Sequence, residues 1–475
     1  MRTPGFRKMK GQIAILTGLL LLVLIGAVGL AIDSGLGYII RAKLYGAVDA
    51  AAIAGARAVV IGSSQAEQTA SAKIAATRFF EANYVDGYMN STPTLGNINV
   101  AFNQGQINVD VAASARVPVN LMGIFGFDIL SVGARAEAIR RDVDMAFVVD
   151  TTGSLVNFGN QVKGASKSFL NQFNAKVDRV ALMHFSSGGV LDVGFKSDFT
   201  RGFDRGGPSD TDPNGANTMY RKINGYRFEG WTNYAEGLWH ARSQLNSVPA
   251  SSRSSLRVIV FFSDGSPNTI ASFYSFRTSS ACTKAGAIAS GEDATGRISG
   301  LFDHETQAGE LTGACWDGIG GGRPDPNGYG IENRFLTAAL PAYYNAHSQT
   351  DQTFRFAPNP TSNPSGLRPV TTAPTYSNIN NASRNVAEEM AWQSRSEGVY
   401  IFTLGLGYNL SQRNGPNNEL GSDVLNCMAN TSDAPLRCRT AGAGQPIGEY
   451  CYAATTADLE PCFSRLASRI LRLSK

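Results

Sequence analysis

Five residues in this sequence have the types and spacing to do chemistry together. Asp150-Thr151-Thr152-Gly153-Ser154 ends an apolar run, Met145 to Val149, and puts one carboxylate and three hydroxyls into a single turn. Thr232 stands in Gly230-Trp231-Thr232-Asn233, just ahead of a helix-forming stretch, and Asp264 follows a second apolar run, Val258 to Phe262. Carboxylates and hydroxyls, with no nitrogen or sulfur among them, are the donors that hard cations such as Mg2+ take. Asp150, Thr152, Ser154, Thr232 and Asp264 are therefore the expected metal ligands, with water or a partner carboxylate completing the shell. Capping of the following helix by Asp150 and its hydroxyls is the plainer role for the first turn.

Those ligands need rigid elements to bring them together. From Val143 the pattern alternates strand and helix. Val143–Val149, Val180–Phe185, Val190–Val193, Arg257–Ser263 and Val399–Leu404 read as strands. The first is apolar almost throughout, as when both sheet faces are covered. Helical spacing follows Ser154 (Leu155, Phe158, Val162, Ala165, Phe169, Phe173) and returns at Tyr234–Leu245, Ala382–Glu397 and Leu459–Ile470. The alternation predicts an α/β fold with a doubly wound, mostly parallel sheet. Asp150 and Asp264 would then lie at the carboxyl ends of strands, where such sheets bind ligands. Two polar, Gly-rich interruptions, about 195–228 and 269–380, break the rhythm and are expected to emerge near the metal turn.

The N-terminal third has a different logic. Arg2, Arg7, Lys8 and Lys10 precede Ile13–Ile32, 20 residues without a charge. That length spans a bilayer core, and the basic flank predicts a cytoplasmic N-terminus with everything after Asp33 on the far side. The run is long for a cleaved signal, so a retained anchor is expected. Leu16 stands where pilin-type substrates cut after Gly11 would carry Glu, which argues against that processing. Gly35–Val60 reads as a helix rich in small residues, packed against another envelope protein or against its own domain. A helix at Gln65–Asn83 and strands around Ile98–Phe102, Ile107–Val111, Val117–Leu121 and Ile129–Ala138 then predict a small α+β module.

Several classes fall away. A net charge of +4 over 475 residues, with no basic, aromatic-interleaved stripe, gives no nucleic-acid surface. No G-x-S-x-G or Walker-type sequence appears, and no histidine can be placed as a base for Ser154, so a binding module is expected rather than an enzyme. Asp210-Thr211-Asp212-Pro213-Asn214-Gly215 opens like a calcium loop, but Arg221 stands at its twelfth position in place of Glu, so a polar turn is expected. Asp325-Pro326-Asn327-Gly328 reads as another turn. His184, His240, His304 and His347 show no paired ligand spacing, and His184 reads as a core histidine. The six cysteines, Cys282, Cys315, Cys427, Cys438, Cys451 and Cys462, allow up to three disulfides outside the cytoplasm, or free buried thiols within it.

The D-x-T-x-S turn with its distant Thr and Asp resembles the metal-ion-dependent adhesion site of the von Willebrand factor A (vWA) domain. Asp150, Thr152, Ser154, Thr232 and Asp264 match that site, Thr152 replacing its first Ser but keeping the hydroxyl. The N-terminal features resemble Tad (tight-adherence) pilus-assembly proteins of the TadG type: Lys10-Gly11-Gln12, the apolar span, Asp33, and Ala-rich 47–58. The strands around Val117–Ala138 and the C-terminal helix after Tyr452-Ala453-Ala454 fit the same pattern. The resemblances imply a cytoplasmic tip and anchor at 1–33, a juxtamembrane helix and α+β module at 34–140, and a vWA domain with insertions at 141–475. They further imply a single-pass protein of the bacterial inner membrane with a periplasmic vWA domain. Its Mg2+ would bind a carboxylate on a protein partner, with pilus components among the candidates. A surface-exposed adhesin is the alternative, and a metal-dependent envelope hydrolase a more distant one.

Overall fold

The computed structural model describes residues 12–59, 65–103, 106–207, 218–274, 284–291, 298–309, 311 and 339–473. The turns expected at Asp210–Gly215 and Asp325–Gly328 lie outside the described residues, as do Cys282 and Cys315. The chain forms two compact units, residues 1–140 and 141–474.

In the first unit the apolar span and the small-residue stretch are one continuous helix, α1 (Gln12–Ala58), 47 residues long. At 1.5 Å per residue its first 20 residues cover about 30 Å, the thickness of a bilayer core. Its apolar side chains there, Leu16, Leu19 and Leu24 among them, are more than half exposed. Beyond Asp33 one face becomes buried. Leu44, Val48, Ala51 and Ala52 pack under α2 (Gln65–Asn83) and a sheet in the order β1 (Thr92–Asn103), β2 (Gln106–Pro118), β3 (Ile129–Arg141). The small residues therefore serve close packing within this unit. A Cβ on Gly55 would stand 2.9 Å from Val109 Cγ1.

The strand expected over Val117–Leu121 stops at Pro118. Proline ends the ladder, and the next free amides go elsewhere. The Asp33 carboxylate accepts from the backbone N–H groups of Asn120, Leu121 and Met122 at 2.8, 3.1 and 2.8 Å. That carboxylate fastens the loop between β2 and β3 to the anchor helix.

The second unit is built on a six-stranded sheet. Its strands are β4 (Val143–Asp150), β5 (Arg179–Phe185), β6 (Gly189–Val193), β7 (Leu256–Ser263), β13 (Val399–Leu406) and β16 (Glu449–Ala453), in the order β16-β13-β7-β4-β5-β6. All neighbours are parallel except the edge strand β6, which runs antiparallel to β5. Residues of β4 alternate between two cores. Ala146 and Val148 face α5 (Tyr234–Ser247) and α6 (Tyr376–Ser396), while Met145, Phe147 and Val149 face α3 (Gly159–Leu170), α4 (Met219–Gly225) and α9 (Leu459–Leu473). Each fully buried side chain of this size contributes about 1.5–3 kcal/mol.

The interruptions hold more order than their composition predicts. The first contains α4, capped by Thr218. The second contributes a three-stranded sheet, β8 (Thr269–Ser272), β9 (Gly286–Ser290) and β10 (Ile298–Phe302), and the short pair β11 (Tyr343–Tyr344) with β12 (Phe354–Arg355). Helix α6 starts at Tyr376 rather than Ala382, because Thr375 accepts from the Asn378 N–H and sets the N-terminus earlier. A short pair, β14 (Arg413–Asn414) with β15 (Glu419–Leu420), and the helices α7 (Asp423–Ala429) and α8 (Leu436–Ala441) follow β13. Disulfides join Cys427 to Cys438, between α7 and α8, and Cys451 to Cys462, between β16 and α9.

Candidate functional site

The chain leaves β4 toward β5 on one side, while β7 pairs on the other. This reversal opens a crevice at the carboxyl ends of β4 and β7, the place where open α/β sheets bind ligands. Parallel pairing sets Val149 opposite Phe262, so Asp150 and Ser263-Asp264 leave the sheet side by side.

Hydrogen bonds close four of the five expected ligands into one cluster. Asp150, fully buried, accepts from the Thr152 N–H at 2.7 Å through Oδ1 and from the Ser263 hydroxyl through Oδ2. The Thr152 and Ser154 hydroxyls lie 3.0 Å apart. Ser154 Oγ donates to Asp264 Oδ1 at 2.8 Å, and Thr152 Oγ1 approaches the same oxygen at 3.5 Å. Ser154 is the exposed member, so the cluster opens to solvent on its side. The one-residue spacing works because Thr152 is extended before a tight turn of helix over Gly153–Phe158.

Thr232 reaches the crevice by its backbone. Its N–H donates to Asn268 Oδ1 at 2.9 Å, and its carbonyl accepts from the N–H groups of Asn268 and Thr269. Its hydroxyl lies 3.7 Å from where a Cβ on Gly265 would be. The loop carrying it is tied to the first turn, since Gly153 N–H donates to the Gly230 carbonyl at 3.1 Å and Glu229 N–H to the Thr151 carbonyl at 3.0 Å. Gly230 has φ +81°, and a Cβ there would stand 2.4 Å from Ser186 Oγ, so the turn calls for glycine.

Four further residues shape the site without having stood out in the sequence. Ser263 bonds Asp150, Tyr234 donates its hydroxyl to the Gly265 carbonyl, and Asn268 holds Thr232. Gln307, from the second insertion, donates through Nε2 to the Thr151 and Arg227 carbonyls. Only Ser263 carried a signal, by adjoining Asp264 at a strand end.

The electrostatics are lopsided. Burial pushes the Asp264 carboxyl up to about 8, and the neighbouring Asp150 charge adds to the rise. Burial likewise lifts Asp150 to about 6, against the hydrogen bonds from Ser263 and Thr152. Among the described residues, neither carboxylate has a cationic side chain as partner. Two buried like charges without a counter-charge are costly. A divalent cation fits this donor set, which supplies two carboxylates and converging hydroxyls and no nitrogen or sulfur.

His184 is a satisfied core histidine, with Nδ1 2.8 Å from Asp192 Oδ2 and its ring against Tyr226. The other three histidines, which show no paired spacing in the sequence, are brought together in space. His240, His304 and His347 gather around Glu236, because the insertion folds its own histidines back onto α5.

Comparison with known proteins agrees with both halves of this architecture. Residues 144–289 match the von Willebrand factor type A domain, and residues 11–58 match the family described as putative Flp pilus-assembly TadE/G-like. The chain thus carries a Tad-like pilus-assembly region, with an apolar helix fit to anchor it, followed by a vWA domain. A search of curated proteins finds no match. Among solved structures, the pilus adhesin SpaC from Lactobacillus rhamnosus GG is similar at 12% identity and a TM-score of 0.36, over 80% of this chain and 34% of that one. This chain therefore spans about a third of that adhesin's length. The vWF domain of the type V pili tip protein Mfa5 from Porphyromonas gingivalis is similar at 13% identity and a TM-score of 0.34, over 71% of this chain and 98% of that one. Proximal thread matrix protein 1 from the mussel byssus, with a zinc-occupied MIDAS motif, is similar at 12% identity and a TM-score of 0.29, over 70% and 46% of the two chains.

Proposed function

We propose that this protein serves Tad-type pilus assembly from the bacterial inner membrane, gripping a partner protein through a divalent cation. Asp150, Thr152, Ser154, Thr232 and Asp264 would hold the ion, Mg2+ by the hardness of the donors. When bound, the ion supplies a positive centre for a carboxylate of the partner. The chain's own residues do the positioning. Ser263 and the Thr152 amide hold Asp150, Asn268 holds the Thr232 loop, and the exposed Ser154 side leaves an approach from solvent.

One observation carries the reading: two buried carboxylates meet at the sheet's switch point with no cationic partner among the described residues. Binding rather than catalysis is favoured because, among the described residues, no histidine or carboxylate outside the cluster hydrogen-bonds to its exposed Ser154 hydroxyl. The basic residues before Ile13 support a cytoplasmic N-terminus. The Cys427–Cys438 and Cys451–Cys462 disulfides support an oxidising compartment, the periplasm, for the vWA domain.

The test is affinity capture from solubilised membranes of the parent bacterium with the full-length protein as bait. Pilus-assembly proteins should be retained in Mg2+ and released by chelator, and Asp150→Ala should retain none while staying folded. Equal capture by Asp150→Ala, or in excess chelator, would remove the metal bridge from the account.

A further inference from the structure

Three of the chain's four histidines gather around one buried carboxylate, Glu236, which lies four residues beyond Thr232. We infer that Glu236, His240, His347 and His304 form a second metal centre, a zinc site that fastens the large insertion to the vWA core.

The geometry is close to assembled. Glu236 and His240 lie one turn apart on α5, so both project from one face of the helix. One donor atom each from Glu236, His240 and His347 falls within 4.8 Å of the others. Zinc bonds of about 2.0–2.1 Å in a tetrahedron separate ligand atoms by roughly 3.3 Å, so small side-chain rotations complete the three. His304 stands beside these three, its ring 5.0 Å from the His347 ring, centroid to centroid, and is the fourth ligand we assign.

The polar accounting points the same way. His304 is 7% exposed, yet among the described residues neither of its ring nitrogens has a hydrogen-bond partner, and His240 Nε2 has none either. Buried polar atoms are nearly always satisfied, and a metal beside Glu236 would take one of these nitrogens from each of the two rings. Glu236 is 0% exposed and has no Lys or Arg partner among the described residues; it pairs with His347 Nε2 at 2.8 Å and accepts from the Tyr344 hydroxyl at 2.8 Å.

Outer contacts fix the ligands in place, as second shells of metal sites do. Trp239 stacks on His347 with centroids 3.4 Å apart and planes 7° from parallel. Tyr344 orients Glu236. A Cβ on Gly189 would stand 2.7 Å from Glu236 Cβ and 2.9 Å from His240 Cδ2, so glycine at this position lets the strand approach the site. Three imidazoles and one carboxylate form a nitrogen-rich set that favours zinc over Mg2+ or Ca2+.

The ligands come from different parts of the fold. Glu236 and His240 belong to the core helix that begins two residues after Thr232, whereas His304 follows β10 and His347 follows β11 within the insertion. The site would therefore staple the insertion beside the adhesion crevice. This inference does not depend on the proposed partner binding.

The experiment measures bound metal by mass spectrometry on full-length protein in detergent, purified without a polyhistidine tag, loaded with zinc and dialysed. About one zinc per chain is expected in the wild type and in Asp264→Ala. At least a tenfold loss of zinc affinity is expected in His240→Ala and in His347→Ala, with circular dichroism confirming that both remain folded. Cobalt loading of the wild type, which needs no variant, should give the intense visible bands of a four-coordinate centre. A wild type that holds no zinc, zinc retained by the doubly substituted His240→Ala/His347→Ala protein, zinc lost in Asp264→Ala, or a weak six-coordinate cobalt spectrum would each overturn the assignment.

Discussion

Asp264 sits within hydrogen-bond reach of Ser154 and close enough to Asp150 to feel its charge, and burial keeps water from screening the pair. Both carboxyls are lifted from their ordinary 3.8, to about 6 at Asp150 and about 8 at Asp264. In the metal-free protein the folded state therefore binds protons more tightly than the unfolded chain. The stability this provides is fully present below about pH 4 and is lost as pH rises through 6 and 8. With the cation bound the trend should reverse, because the ion needs both groups ionised. Thermal melts in chelator should fall between pH 5.5 and 8, and added Mg2+ should raise the melting temperature more at pH 8 than at pH 5.5. Asp264→Asn, neutral at every pH, should gain about 1–3 kcal/mol over the chelated wild type at pH 8, the scale of relieving a buried unpaired group, and should lose the response to Mg2+. At this scale the sequence was most readable. A D-x-T-x-S turn after an apolar run marks the oxygen donors that the fold gathers, and a strand-end Asp marks another. Thr232 was readable as a residue but not as a contact, since its placement depends on Asn268, which has no local signature.

The elements that hold the site were readable where hydrophobic period and burial agree. β4 and β7 are buried at every residue, and α9 shows a clean apolar stripe through Leu459, Phe463, Leu466 and Ile470. Elements whose stability comes from tertiary partners were not. β16 is only five residues long and alternates aromatic with small side chains. It becomes a strand by pairing with β13 and by the Cys451–Cys462 bond to α9. Replacing both cysteines by serine should cost about 2–3 kcal/mol, from the loop-closure entropy of an 11-residue separation. Chemical denaturation with intrinsic fluorescence would measure it, and a change below 0.5 kcal/mol would mean that packing alone holds the edge strand. The zinc ligands were likewise hidden, because His304 and His347 lie 43 residues apart in an insertion whose fold has no periodic signal.

At the scale of the whole molecule, two compact units share one chain, the first built on a helix whose opening 20 residues match a bilayer core. Asp33 marks where α1 passes from an exposed apolar rod to a packed domain helix. The proposed orientation places everything after it in the periplasm. Protease should therefore degrade the vWA domain in spheroplasts but not in intact cells. Degradation in intact cells would move the protein to the cell surface, and protection in both would reverse the topology. Charge-free apolar length, period-2 alternation and strand–helix alternation follow one another along the chain, and the structure has a long apolar helix, a three-stranded sheet and a six-stranded sheet in that order. The small sheet inside the insertion was not legible, because its strands are four or five residues long and rich in Ala, Gly and Ser.

The central claim is that Asp150, Thr152, Ser154, Thr232 and Asp264 hold a divalent cation. Calorimetric titration of Mg2+ into full-length protein in detergent, stripped of metal by chelator that is then dialysed away, tests it most directly. The account predicts one Mg2+ per chain in the wild type, binding weakened at least tenfold in Thr232→Ala, and none detected in Asp264→Ala or Asp150→Ala. Wild-type affinity in the Asp264→Ala protein, or no Mg2+ uptake by the wild type at pH 8, would contradict it.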